Sequence, residues 1–309
     1  MDDPAHEAYN KARFVRAARR FANNWGKPLV FWGGAYWEYT TTHYKMVGDR
    51  YYMQDLVDRW HQDLSPGSGL DITDYTTTQI EGRLRPRVML GREQGVPARI
   101  GDTDQCPHMV SFINGLLDLS PCWSGRDPIL RPHVHTWFAT ACLPYAYTPG
   151  AECPRWLIFL GEALQDDPER IALLQEWFGY CCTFDTTFEK ALIMEGPGGN
   201  GKSQALEVLS LLVGKNNCSA VGLDRLGHRF SPVATLGKLV NISPETNAGC
   251  RVPVATWRHL ISGDPFEFER KGVDTFTAKP TARFVVSMNV APQFDDTSNA
   301  LWRRLLLMP

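Results

Sequence analysis

Apolar and aromatic positions alternate in two stretches of the first half of the chain and predict two β-hairpins. In the first, residues 29–32 and 35–40 flank Gly33-Gly34, a pattern typical of a hairpin or small meander. In the second, two short apolar runs within residues 110–119 meet at Asn114-Gly115, a favoured turn pair. Exposed aromatic side chains of the first stretch could stack on bases, but aromatic residues at strand spacing more often form a core.

Helical spacing of apolar positions predicts helices at the start and in the middle of the chain. Residues 7–22 have the pattern of a basic amphipathic helix. This helix either lies on nucleic acid or, as we favour, packs on the body of the protein. Residues 55–61 predict a short helix and residues 65–69 a loop. Residues 154–185 again follow helical spacing and lead directly into a glycine-rich segment.

That glycine-rich segment, residues 196–203, fills the pattern G-x-x-x-x-G-K-[ST] and lies between an apolar run and an apolar-periodic segment. The order strand, loop, helix is the context in which backbone N–H groups surround phosphate oxygens at a helix N-terminus. Lys202 would reach the β- and γ-phosphates of ATP, and the Ser203 hydroxyl would bind Mg²⁺. A glycine-rich turn with a chance lysine is the alternative. The predicted nucleotide-binding residues are Gly196, Pro197, Gly198, Gly199, Asn200, Gly201, Lys202, Ser203 and Gln204.

Hydrolysis also needs a carboxylate near the metal, and the chain offers one after the apolar run 239–243. Glu245 is the predicted catalytic base. It is also a predicted metal ligand, through water, in addition to the Ser203 hydroxyl. Pro244 precedes it, where many nucleotide-hydrolysing loops carry a metal-binding Asp. Asn289 follows a second buried-type strand and is predicted to position the attacking water or contact the γ-phosphate; as an alternative, it is a turn residue.

Basic side chains are concentrated at three further places. Arginines at positions 83, 85, 87, 92 and 99 form the densest stretch, for which contact with a phosphate backbone is one interpretation. Residues 263–276 predict a hairpin in which Arg270 and Lys271 grip nucleic acid, or else a plain surface hairpin. Arg303 and Arg304 precede a last apolar strand. One of the pair is predicted to act in trans on the γ-phosphate of a neighbouring subunit; an ordinary ion pair is the alternative for one of them.

Composition narrows the class of protein. With 309 residues, 43% hydrophobic and 21% charged, the chain is typical of a globular protein with about two domains. No apolar run approaches the length of a membrane span, and the N-terminus is not a signal peptide, so a cytoplasmic protein without a membrane partner is expected. The eight scattered cysteines favour reduced thiols. A net charge of −2 still allows a local nucleic-acid contact.

The order of these motifs resembles superfamily 3 helicases, a branch of the AAA+ ATPases, and more closely the helicase part of phage and plasmid primase-helicases. The segments that carry the resemblance are 196–203, 237–245, 263–272, 287–289 and 302–304, with 112–115, 143–145 and 153–155 upstream. The resemblance implies a hexameric ring that binds ATP and Mg²⁺ between subunits, with Arg303 or Arg304 acting in trans. It also implies single-stranded DNA as partner in the channel, further replication proteins, 3′-to-5′ translocation and the cytoplasm of a bacterial host.

Three departures from this family pattern matter. Pro244 replaces the usual first acid, no paired Asp residues of a primase lie in the first hundred positions, and the chain ends five residues after Arg304, as expected of a C-terminally truncated core.

We expect an α/β protein with a parallel sheet flanked by helices. The expected domains are an accessory region over 1–104 with a basic helix and β-rich segment, a helical domain over 105–185 and an AAA+ P-loop core over 186–309.

Three functions compete on the sequence. The leading hypothesis is an ATP-dependent replicative DNA helicase that moves on single-stranded DNA as a ring. The second is an ATP-gated DNA-binding initiator or loader with weak hydrolysis, motivated by Pro244. A small-molecule kinase is a third and weaker hypothesis, because no lid with clustered arginines follows the phosphate loop.

Overall fold

An antiparallel meander forms the first sheet in the computed structural model. The structure describes residues 12–19, 22–23, 27–47, 73–243, 251–289, 293–294 and 299–309. The strands of the meander are β1 (Leu29–Trp32), β2 (Ala35–Tyr39) and β3 (Tyr44–Val47). Gly33 and Gly34 form the β1–β2 turn with φ of 57° and 71°, a left-handed conformation that glycine adopts at little steric cost. Trp32 and Trp37 are buried and pack edge-to-face, so the core interpretation of these aromatic residues is confirmed.

Two helical segments cover one side of this meander. Residues 12–19 are helical and bury Phe14 and Ala18 in a small cluster, which confirms packing on the body of the protein. Helix α1 (Asp74–Val88) begins at the capping residue Thr73 and contributes Ile80 and Leu84 to the same cluster. The helix and loop predicted over 55–61 and 65–69 lie outside the described residues.

Part of the basic stretch is helical, because Arg83, Arg85 and Arg87 lie on α1, whose last turn includes Pro86. Arg83 donates to Gln79 at 2.7 Å and lies over the Phe14 ring. Arg85 forms an ion pair with Glu81 at 3.1 Å. Two of the five arginines therefore have partners within the protein, and the stretch does not form one free cationic surface.

Residues 105–185, predicted as a helical domain, are strand-rich in their first half because their apolar positions alternate there. Strands β4 (Ala98–Arg99) and β8 (Trp137–Phe138) pair, and a second sheet contains β5 (Met109–Phe112), β6 (Gly115–Asp118) and β7 (Ile129–Arg131). The hairpin predicted at Asn114-Gly115 is confirmed. Helices α2 (Pro154–Leu164) and α3 (Pro168–Cys181) follow, the second capped by Asp167.

A five-stranded parallel sheet forms the centre of the second half, as predicted. Its strand order is β10-β11-β15-β9-β17. The elements of this half are β9 (Ala191–Glu195), α4 (Lys202–Val213), β10 (Cys218–Ser219), β11 (Val240–Ser243), β12 (Arg251–Val252), α5 (Val254–Ser262), β13 (Phe266–Phe268), β14 (Phe276–Ala278), β15 (Arg283–Met288), β16 (Gln293–Phe294), α6 (Asn299–Trp302) and β17 (Leu305–Met308).

The central strands are buried on both faces. Residues 191–194 and 284–286 have almost no exposed surface, which explains why these strands are continuous apolar runs instead of alternating ones. The largest hydrophobic cluster includes Trp32, Leu160 and Val285, one from each predicted domain. The limits of the three domains therefore stay a prediction, since one core crosses both boundaries.

Candidate functional site

The glycine-rich loop connects the C-terminal end of β9 to the N-terminus of α4, as predicted. Gly196, Gly199 and Gly201 have φ of 153°, 82° and 87°, in the region that favours glycine. The Gly196 N–H donates to the Met288 carbonyl at 3.3 Å, which ties the loop to the end of β15. Gly201 precedes the first helical residue and offers no side-chain cap. The first N–H groups of α4 are therefore available to an anion.

Lys202 is buried within this loop. Its Nζ donates to the carbonyl oxygens of Gly196 at 2.5 Å and Pro197 at 3.1 Å, and to Asn200 Oδ1 at 2.9 Å. These three partners are neutral oxygens, so no carboxylate among them offsets the ammonium charge. The arrangement suits a phosphate anion, which would bring the missing negative charge to the loop.

A cleft of about 880 Å³ opens in front of the loop, within the size range of ligand pockets. Residues 198–204 line it on one side, and these include Ser203 and Gln204, both predicted to bind the nucleotide. Ser287 and Asn289, at the C-terminal end of β15, line the other side. Asn289 therefore lines the same cleft as the loop, in keeping with its predicted position. Ser287 lies in segment 287–289, which carries the family resemblance, but it was not predicted as a site residue.

Strand β11 reaches the same cleft, and Ser243 at its end is a lining residue. A buried amide holds the strand against β10: Asn241 Oδ1 accepts from Ser219 Oγ and from the Val221 N–H, both at 2.8 Å. Its Nδ2 donates to the Val221 carbonyl and to Ser243 Oγ at 3.0 and 3.1 Å. Pro244 and Glu245, the predicted base, lie outside the described residues.

The metal prediction rests on Ser203 and Glu245, of which only the first is described. Ser203 is exposed at the start of α4 and lines the cleft, so its hydroxyl fits a role as one ligand of Mg²⁺. Within the described ranges, no group of three or more His, Cys, Asp or Glu side chains is arranged to hold a metal ion. Protein, phosphate and water would have to share the coordination, as Mg²⁺ commonly requires.

Helix α2 supports the loop from outside the predicted domain 186–309. A side chain on Gly201 would come within 3.2 Å of Phe159 and 3.4 Å of Ala163. Trp156 stacks on both Phe159 and Phe178, which fixes this aromatic group between α2 and α3. This contact was not predicted, because it joins segments that are about forty residues apart.

The predicted basic hairpin forms, but its two cations differ. Strands β13 and β14 pair antiparallel, with the tip between them. Arg270 Nε donates to the Gly33 carbonyl at 2.8 Å, so its side chain is directed into the β1–β2 turn, and its contact with nucleic acid stays a prediction. Burial lowers the pKa of Arg270. Lys271 is exposed, so its side chain is accessible for the predicted contact with nucleic acid.

Arg303 and Arg304 also differ. Arg304 Nη2 lies 2.6 Å from Glu189 Oε2, and its Nη1 donates to the Ala300 carbonyl at 2.8 Å. The predicted ion pair of one arginine is therefore made by Arg304, while the Arg303 side chain is exposed. Leu305 pairs with Ala191 at the start of β9. Both arginines therefore lie at the end of the strands that is opposite the loop. Because β9 is about 13 Å long, this end of the sheet is remote from the chain's own cleft.

Residues 11–165 match the family described as D5 N terminal like, which is half of the 309 positions. The chain belongs to the D5 N terminal like family. Residues 194–304 match a second family, described as a family of unknown function (DUF5906). No curated protein matches the sequence. The predicted resemblance to superfamily 3 helicases of the phage and plasmid primase-helicase family is confirmed at the level of family and fold.

Solved structures similar to this D5 N terminal like chain include apo structures of the NrS-1 C terminal region. One has a TM-score of 0.56 at 13% identity and matches 94% of this chain and 60% of that chain. Another has a TM-score of 0.55 at 13% identity, with 96% and 61% matched. The chain thus spans about 60% of the length of these structures. A JCV helicase structure reaches a TM-score of only 0.35 at 13% identity over 49% of this chain and 42% of that chain, too low for structural comparison.

These likenesses concern the fold. Among the described residues, no helix has the length and apolar character that crossing a membrane requires.

Proposed function

We propose that this protein is an ATP hydrolase that drives movement on single-stranded DNA, with ATP hydrolysed between subunits of a hexameric ring. The observation that carries the proposal is the enclosure of Lys202 by the loop carbonyls at the mouth of the cleft. A buried ammonium with neutral partners, next to uncapped helix N–H groups, favours a polyphosphate ligand. Its family membership supports DNA as the partner.

The roles within this reaction follow from position. Lys202 would bind the β- and γ-phosphates, Ser203 would bind Mg²⁺, and Asn289 would contact the γ-phosphate or attacking water from across the cleft. Glu245 is proposed as the base. Mg²⁺, when bound, would offset the charge that develops on the phosphates. The remaining chemistry in the described site is positioning by the loop and the strand ends.

Arg303 is proposed as the arginine that reaches the nucleotide of a neighbouring subunit. It is exposed at the edge opposite its own cleft, whereas Arg304 is engaged with Glu189. An arginine in that place cannot serve its own site and is free to serve another. The proposal therefore includes an active site that is complete only after assembly. The domain limits 1–104, 105–185 and 186–309 are proposed as its three parts.

Steady-state ATP hydrolysis, measured with and without single-stranded DNA, tests the proposal. We expect DNA to stimulate hydrolysis. Lys202→Ala should lower the hydrolysis rate by about 10²–10³-fold, the effect of removing one preorganised donor. Lys45→Ala, an exposed substitution on β3, is the matched control and should keep the full rate. A Lys202→Ala protein with the wild-type rate would refute the assignment of the site.

The ATP-gated initiator predicted as the alternative gives a different result in the same assay. It would bind ATP with Lys202 but hydrolyse it slowly, and DNA would not raise the rate. Nucleotide binding measured by calorimetry on the same proteins separates the two functions. Tight binding without DNA-stimulated turnover would favour the initiator over the motor.

A further inference from the structure

The hairpin β13–β14 rests on the turn between β1 and β2, in a contact between residues more than two hundred positions apart. Arg270 Nε donates to the Gly33 carbonyl across 237 positions of sequence, with a distance of 2.8 Å. Burial lowers the pKa of Arg270, in keeping with a side chain withdrawn from solvent. The adjacent Lys271 is exposed. Two neighbouring cations of one hairpin therefore face different surroundings.

The fit at this turn leaves no room for a side chain. A Cβ added to Gly34 would lie 3.0 Å from Phe276 and 3.2 Å from both Arg270 Cδ and Val273. A Cβ added to Gly33 would lie 3.1 Å from Leu236. Both glycines also have left-handed φ, so a substitution here would be strained by the backbone as well as by the hairpin.

The ATPase core holds the other end of the hairpin. Phe268 stacks on Phe276 with ring centroids 6.1 Å apart, and Phe266 contacts Phe268 at 4.9 Å. His259 of α5 packs edge-to-face on Phe266 at 5.5 Å. The base of the hairpin is thus packed on the core by aromatic side chains, while the segment before its tip is packed on the N-terminal meander.

We propose that Gly33 and Gly34 form a seat that fixes the orientation of the hairpin, and that Arg270 is the positioning residue that holds the hairpin on this seat. Lys271 is then the residue that meets the nucleic-acid backbone. The Nε of Arg270 donates to the Gly33 carbonyl, so turning the other guanidinium N–H groups toward a phosphate backbone would weaken that contact, which costs free energy. The role of Lys271 rests on the proposed function, whereas the seat does not.

Hydrogen exchange of the 309-residue chain tests the seat without reference to activity. Gly34→Ala should raise exchange over residues 266–278 by about fivefold or more, since losing one hydrogen-bonded contact weakens local closure. Gly125→Ala is the matched control, because Gly125 has a similar φ of 68° but no heavy atom near an added Cβ. Unchanged exchange of the hairpin in Gly34→Ala would overturn the proposal.

The salt dependence of single-stranded DNA binding tests the division of labour between Arg270 and Lys271. Lys271→Ala should lower the slope of log affinity against log salt by about 0.7, the value for one lost phosphate contact on a single strand. Arg270→Ala and Gly34→Ala act through Lys271, so each should lower the slope by no more than Lys271→Ala does, and adding either to Lys271→Ala should cause no further fall. A further fall in slope when Arg270→Ala is added to Lys271→Ala would make Arg270 a phosphate ligand and overturn its positioning role.

The two tests fail separately. If the wild-type chain binds no single-stranded DNA, the proposed function fails, while hydrogen exchange still decides whether the turn is the seat of the hairpin. If DNA binds and only the exchange result is negative, the proposed function stands and the seat is refuted. Arg270→Lys adds a conservative variant: partial recovery of hairpin protection relative to Arg270→Ala is expected from a donor that still reaches the turn.

Discussion

Arg304 and Glu189 form an ion pair, with 2.6 Å between Nη2 and Oε2, while the side chain of Arg304 is only 11% exposed. Glu189 adopts a φ of 51°, a left-handed conformation that non-glycine residues seldom take. The following Lys190 donates to the Arg303 carbonyl. The segment before β9 therefore holds the turn that carries both arginines. The side chain of Arg303 stays exposed.

Substitution of the two arginines should therefore give different defects. We expect Arg303→Ala to lower DNA-stimulated ATP hydrolysis by about 10³-fold or more with unchanged thermal stability, since a finger acts in the transition state. Arg304→Ala should lower the free energy of unfolding by about 1 kcal/mol through loss of the Glu189 pair. Hydrolysis rates and urea unfolding of both variants measure the two effects.

Glu189→Gln is the control for the arginine pair, because it removes the carboxylate and keeps both arginines. It should resemble Arg304→Ala in stability and retain most of the activity. Equal loss of activity in Arg303→Ala and Arg304→Ala, with no change in stability, would contradict the division of roles. A fully active monomer at high dilution would contradict action between subunits.

The contact between Gly201 and α2 predicts an effect on nucleotide binding. Gly201→Ala combines a φ of 87° with a Cβ 3.2 Å from Phe159, so the loop must shift. We expect ATP affinity to fall by about tenfold or more, from roughly 1–3 kcal/mol of strain. Calorimetry of ATP binding gives the measurement.

Gly198→Ala is the matched variant, because an added Cβ there meets no atom and its φ is not left-handed. Its loss of affinity should be clearly smaller. The double variant Gly201→Ala with Phe159→Leu should recover part of the affinity, since the shorter side chain removes the close approach. Equal affinities for the two glycine variants would show that the support from α2 is unimportant.

The buried amide of Asn241 predicts a stability effect at the sheet. Asn241→Ala would leave Ser219 Oγ and the Val221 N–H without their present partner. We expect a loss of about 1–3 kcal/mol in the free energy of unfolding, the cost of unsatisfied buried groups. Asn216→Ala, at an exposed position, should be neutral in urea unfolding. A loss at position 241 no larger than in this control would refute the role of the amide.

His43 predicts a pH dependence of stability. Burial, followed by the charges of Lys45 and His133, lowers the pKa of His43 from 6.5 to about 4. The unfolded chain therefore binds a proton below about pH 6.5 that the folded chain does not bind until about pH 4. Stability should fall by about 1–2 kcal/mol between pH 7 and pH 5 on this account.

Unfolding in urea at both pH values measures this term, with His43→Gln as the comparison. The variant lacks the titrating ring, so its stability should fall less over the same interval. If His43→Gln and the wild type lose equal stability, the titration of His43 does not contribute.

Much of the fold was predictable because the signals are local. The Gly33-Gly34 and Asn114-Gly115 turns, the helices after Pro154 and Pro168 and the loop before Lys202 depend on residues a few positions apart. Local sterics and hydrophobic periodicity determine such elements. The helix through Pro86 and the strands β7 (Ile129–Arg131) and β8 (Trp137–Phe138) were not predicted, because tertiary packing overrides local preference there.

The sequence by itself determined the strand–loop–helix at Lys202, the parallel sheet and the location of the basic hairpin, since each is encoded by nearby residue types. Only the tertiary structure decided that Arg304 is paired while Arg303 is exposed, that Phe159 supports Gly201 and that Arg270 is anchored to Gly33. These choices depend on contacts between distant segments. Identical residue types, such as adjacent arginines, are equivalent until packing gives one of them a partner and leaves the other in solvent.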